Sequence, residues 1–250
     1  MEYSLATANS GICTFYVFRG FSSTDNLDNL RFSVLSKGLV TLILAVSFTC
    51  STFSAEAQSY NARWAAYINQ GGICMEKKEY KKAEAFFERS LLESKSFGNR
   101  SKEMASSINA LAGVHMEQKH WKEAESYLVL ALSMREDLLS ERDPRIANTC
   151  FNLGVCCYKQ DKLSEAGHYF ERALDTRYSY KSDKPEDPHI AEELIWLSRV
   201  YARQGRQTDA IEVLEQALSI KKKKLGSAHA DIKSLEIELD KLKKNAGGRE

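Results

Sequence analysis

Small and large apolar residues recur between residues 59 and 232 at a spacing that suits pairs of packed helices. In the stretch LGVCCYKQDKLSEAGHYFERAL, Leu153 to Leu174, Gly154 is followed by Cys157 and then by Ala166, Phe170 and Ala173. The last three fall at i, i+4 and i+7, one face of a 3.6-residue helix. Three further copies keep the frame: Gly71, Cys74, Ala83, Phe87 and Ser90; Ala112, His115, Ala124, Leu128 and Ala131; Ser198, Tyr201, Ala210, Leu214 and Ala217. Equivalent alanines are separated by 41 residues (Ala83 to Ala124), 42 (Ala124 to Ala166) and 44 (Ala166 to Ala210). A fixed interval of roughly 20–50 residues marks a stacked array.

Each copy divides into two helices joined by a short polar stretch such as Gln160-Asp161-Lys162 or Gln204-Gly205-Arg206, short enough to force an antiparallel hairpin. The pattern predicts helices at about 60–76, 79–97, 103–118, 121–139, 145–160, 163–179, 188–204 and 207–224. The fold class is all-α, an α-solenoid of about four hairpins with repeats at about 59–101, 102–144, 145–187 and 188–229. Ile232, Leu235, Ile237, Leu239 and Leu242 form an apolar stripe that predicts a capping helix over about 230–245, followed by a disordered tail at about 246–250.

The N-terminal part differs. Residues 1–37 show no sustained period and form an extension outside the array. From Gly38 to Phe48 runs GLVTLILAVSF, preceded by Arg31 and Lys37 and followed by Ser54-Ala55-Glu56-Ala57-Gln58. A basic flank, an apolar run and an Ala-x-Ala site are the parts of a secretory signal peptide. The expectation for 38–57 is therefore cleavage after Ala57 and an exported product, periplasmic or secreted. The run begins late for a signal, so two accounts fit: translation starting near Leu30, or retention of the segment as a short membrane anchor. It is shorter than the ~20 residues of a spanning helix.

The Leu-Gly-x-x-x...Ala-x-x-x-Phe-x-x-Ala pattern of the third copy resembles the tetratricopeptide repeat family, with Cys157 in the place of the usual Tyr. The long interval, the Ala83-Glu84 and Ala124-Glu125 pairs, and linkers such as Asp143-Pro144-Arg145-Ile146-Ala147 and Asp187-Pro188-His189-Ile190-Ala191 are similar to the kinesin light chain subtype. The resemblance implies a right-handed superhelix whose concave wall is built from first helices, and a groove asparagine two residues before each small anchor. Asn69 and Asn152 hold that place, Ala110 and Trp196 depart from it, and Asn109 lies one residue earlier. An amide offers a donor and an acceptor to an extended peptide. Phe151, Ile195 and Trp196 add apolar surface, either in the groove or between repeats, and Arg199 and Arg203 a positive end. Aromatics and arginine dominate interface energetics.

Composition narrows the function classes. With 43% apolar residues, a net charge of +1 and three prolines among 250 residues, nothing points to nucleic acid, and membrane contact is expected only through 38–57. Cys74, Cys150, Cys156 and Cys157 remain after cleavage, but no Cys-x-x-Cys pair suggests metal, and buried cysteine is an ordinary small core residue. The five histidines lack ligand spacing, and no phosphate loop or nucleophile elbow occurs. The expectation is a non-catalytic scaffold without cofactor or metal, binding a protein or peptide in its groove; the alternative is a self-associating subunit of a larger envelope or membrane-associated assembly.

Overall fold

The computed structural model describes residues 59–180, 187–226 and 229–247. All the secondary structure among them is helical. In chain order the helices are α1 (59–76), α2 (Tyr80–Ser94), α3 (Lys102–Glu117), α4 (Trp121–Leu138), α5 (Pro144–Lys159), α6 (Leu163–Tyr180), α7 (Pro188–Arg203), α8 (Gln207–Leu225) and α9 (Ala230–Gly247). From α2 onward each helix packs on the next, and α5 also touches α7 directly, as first helices do when they share one side of a solenoid. The expectations for residues 1–37 and for the 38–57 segment lie outside the described residues. None of the described helices is long and apolar enough to cross a membrane.

Two boundaries differ from expectation. The second helix stops at Ser94, where a single 3-10 turn, Lys95–Phe97, leads to Gly98 at φ 109°. At the other end α9 continues through Ala246 to Gly247, where a frayed tail was expected. Within α9 only Ile232, Leu235 and Leu242 are buried, and Ile237 is 57% exposed, so the covering face is narrower than the stripe suggests.

The starts and stops have local causes. Asp143 and Asp187 cap α5 and α7, accepting from Arg145 N at 2.9 Å and His189 N at 3.0 Å, and each is followed by proline in the first turn. Proline there loses no helical hydrogen bond, and the carboxylate satisfies an orphan amide. Ser101 caps α3 through Met104 N. All four hairpins turn identically. The chain reaches a left-handed residue at Lys78, Lys119, Asp161 or Gly205, and the following amide donates back to the carbonyl of Cys74, His115, Cys157 or Tyr201. That is the Schellman closure. Only the fourth copy uses glycine, the residue that adopts this conformation without strain.

The hairpin core explains the small anchors. Ala83, Ala124, Ala166 and Ala210 are fully buried, and so are Leu128, Phe170 and Leu214 opposite them, with Phe87 5% exposed. A Cβ on Gly71 would lie 2.3 Å from the Phe87 ring, and one on Gly154 would lie 2.7 Å from the Phe170 ring. Where the anchor carries a side chain, as Ala112 or Ser198, the facing residue shrinks to Leu128 or Leu214. Each crossing thus holds a nearly constant volume, as close packing requires.

Candidate functional site

One cavity, about 430 Å³, is lined by consecutive first helices: Asn109 from α3, Asn148, Phe151 and Asn152 from α5, His189, Glu192 and Glu193 from α7, with Arg177 entering from α6. It unites three of the residues expected to form a groove, Asn109, Phe151 and Asn152. The others lie elsewhere. Asn69 is exposed on α1 and does not line this cavity. Ile195 is 3% exposed and belongs to the apolar core that runs from α5 to α9, so it packs rather than presents a surface.

Trp196, Arg199 and Arg203 form a separate cluster whose interactions are largely internal. The Trp196 ring stacks on Phe170 at 6.1 Å and meets Tyr158 edge-on at 5.4 Å. Arg199 lies 5.3 Å over Trp196 and donates to both oxygens of Glu238 in α9 at 2.9 and 3.0 Å. Arg203 sits over Tyr158 and donates to Asp161. The positive end expected of Arg199 and Arg203 is therefore neutralised by carboxylates of the same chain.

Behind the cavity runs a ladder of polar contacts, crossing between repeats at Arg135 and Arg177 and staying within the last hairpin at Lys221. Ser94, Arg135, Arg177 and Lys221 occupy one place of the second-helix frame, and Ser107, Thr149 and Glu193 one place of the first. Arg135, 7% exposed, donates to Asn109 Oδ1 at 3.3 Å, to the Arg145 carbonyl at 2.7 Å and to Thr149 Oγ1. Burial, aided by the neighbouring Arg145 guanidinium, pulls it down to about 10. Arg177 donates to Glu193 and, at 2.6 Å, to Asn148 Oδ1, while Lys221 pairs with Glu192. Glu193 is fully buried, and its desolvation pushes the carboxyl up to about 7 despite Arg177. Neither Arg135 nor Arg177 was singled out from the sequence, and Lys221, in the Lys221 to Lys224 run, reads there as part of a solvated helix C-terminus. The available signal was their recurrence at one frame position on an otherwise packed face.

The cysteines Cys74, Cys150, Cys156 and Cys157 are free and buried. Burial pushes Cys150 up to about 11 and Cys156 and Cys157 up to about 12, far from the range of a reactive thiolate. Cys157 does approach Glu125 and Glu165, the three ligand atoms lying within 4.8 Å of one another. Lys162 Nζ already stands 2.8 Å from both Glu125 oxygens, however, and Gln160 donates to the same carboxylate. The cluster is satisfied as an ion pair.

Family models described as tetratricopeptide repeat match residues 63–136, 103–179 and 197–231. The chain belongs to the tetratricopeptide repeat family. Among solved structures, the repeat protein is similar to BtubC (BKLC) from P. vanneervenii, with a TM-score of 0.63 and 20% identity, covering 71% of this chain and 70% of that one. It is also similar to a Podosopora anserina protein with nearly identical kinesin light chain TPR-like repeats, at a TM-score of 0.61 and 19% identity, covering 75% and 88% of the two chains. In sequence it is 29% identical over 109 residues to response regulator aspartate phosphatase E of Bacillus subtilis (strain 168). That match takes in 43% of this repeat protein but 28% of the relative, so the chain spans less than a third of that relative's length.

Proposed function

We propose that this tetratricopeptide repeat protein is a non-catalytic scaffold that holds an extended segment of a protein partner along its first helices. The observation that carries the reading is the shared cavity: α3, α5 and α7 each contribute polar groups to one trough, and three of its lining residues are asparagines. Amides in series match the alternating donors and acceptors of an extended backbone, and Phe151 between them supplies apolar contact. Asn69, exposed on α1, holds the same frame place as Asn152. The Bacillus relative's name is that of a protein acting on another protein, which favours a protein partner over a small molecule.

Replacing Asn109 and Asn152 together by Leu should weaken partner binding on the order of ten- to a hundredfold, from about 0.5–1.5 kcal/mol per lost hydrogen bond. Pull-down with purified wild-type and doubly substituted protein reads this directly. Unchanged recovery would contradict groove binding. We also propose that the protein acts after export. The basic flank, apolar run and Ala-x-Ala site of 38–57 support that reading, and N-terminal sequencing of the natural product is expected to begin at Gln58. A product retaining residues 38–57 would favour the anchored alternative.

A further inference from the structure

The last joint of the array leaves an apolar recess open. About 270 Å³ in volume, it lies between the head of α7, at Pro188 and His189, and the end of α8, at Ile220, Lys224 and Leu225. The place of Ile220 in the second-helix frame is held by Met134 and Thr176 in the two preceding copies, where both are buried. Ile220 is only half-buried and Leu225 is 41% exposed, so α9 covers this joint less fully than a following repeat does. Pro188, His189 and Lys224 are exposed at the rim, and the recess opens to solvent.

Its size, continuity and charge narrow the occupant. The volume falls below the roughly 300–1,000 Å³ of small-molecule sites and suits one large apolar side chain. His189 and Glu192 line this recess and also the groove cavity, so a segment lying along the first helices meets it without leaving the surface. Within the lysine run, Lys221 pairs with Glu192 and Lys222 with Glu236, whereas Lys224 has no partner among the described residues. A second copy docked here about a two-fold axis would set that run against itself. A carboxylate beside the apolar side chain would instead complement Lys224.

We propose, on the groove reading above, that the partner's bound segment runs past His189 and anchors one aliphatic or aromatic side chain in this recess, with an acidic residue beside it facing Lys224. Pro188, Ile220 and Leu225 receive the apolar side chain, and the surface removed from water supplies the gain. The acidic neighbour lies at the exposed rim, where a single ion pair contributes about two- to fivefold in affinity. It fixes the order of residues in the segment more than the strength of binding.

A random peptide library displayed on phage and selected on the 250-residue protein tests the anchor. The wild type should enrich Leu, Ile, Met or Phe at one fixed position at least about tenfold over Ser and Gln, with Asp or Glu beside it. Ile220→Thr together with Leu225→Gln strips the apolar lining. Threonine already stands at the first of these places in the third copy, as Thr176, and Leu225 is exposed, so the fold tolerates both. This variant should lose the apolar preference, and Lys224→Glu should exchange the acidic neighbour for Lys or Arg. A pool whose binding falls on joint Asn109→Leu and Asn152→Leu substitution, but whose apolar position survives the first exchange or whose acidic neighbour survives the second, overturns the anchor and leaves the groove standing. A pool indifferent to those two leucines, or no pool at all, contradicts the groove itself and the anchor with it.

Discussion

Glu193→Leu is expected to lower the unfolding free energy by about 3–5 kcal/mol, because it leaves Arg177 buried without a carboxylate. Both partners lie in the joint between α6 and α7, Arg177 7% exposed and Glu193 fully buried. Replacing both, as Arg177→Met with Glu193→Leu, removes the uncompensated charge and should bring stability back to within about 2 kcal/mol of wild type. Urea titrations of the single and double variants measure the difference. The pH dependence has a definite sign. An unfolded glutamate titrates near about 4.3, whereas burial pushes Glu193 up to about 7. Its contribution is whole below the unfolded value and is lost as pH rises through the folded one. Between about pH 5 and pH 8 the double variant should therefore lose less stability than wild type does.

The second large effect lies at the hairpin crossing of the third repeat. Gly154→Ala places a methyl 2.7–2.9 Å from the Phe170 ring. Overpacking of this kind costs about 1–3 kcal/mol, set against a helix-propensity gain of about 1 kcal/mol for Ala over Gly. Phe170→Leu alone opens a void in a fully buried position and should cost about 1–2 kcal/mol, below the cost of truncation to alanine. Combined, the two recreate the Ala112 and Leu128 pairing already present in the second repeat. The pair should couple favourably by at least about 1 kcal/mol, as contacting residues do. Strict additivity in the double-mutant cycle would mean that the two residues do not share a crossing.

The frame of the array was legible because close packing allows few choices where two helices cross, and alanine and glycine at 41- to 44-residue intervals declare those places. Asp143-Pro144 and Asp187-Pro188 read from the sequence as linkers, and the structure makes them the capped heads of α5 and α7. What the sequence withheld depends on partners distant along the chain. Arg199 carries its charge openly, but Glu238 lies 39 residues further on and Asp161 lies 42 residues before Arg203, so neither neutralisation follows from spacing. Ile195 holds the frame position that Asn109 and Phe151 occupy in earlier copies. It is buried because α7 sits in the middle of a core continuing through α8 into α9. Arg135 and Arg177 escaped notice and Lys221 read as part of a solvated lysine run, since a cation on a helix usually reads as a solvated face; only superposing the copies shows three cations at one buried or half-buried place.

The claim on which the functional account rests is that partners lie along the first helices rather than on the outer second helices. Site-specific photocrosslinking decides it: a benzoylphenylalanine at Phe151, whose side chain lines the cavity, is compared with one at Leu130, 47% exposed on α4. The account predicts covalent capture of the partner from Phe151 and none from Leu130. Capture from Leu130 with none from Phe151 would contradict it.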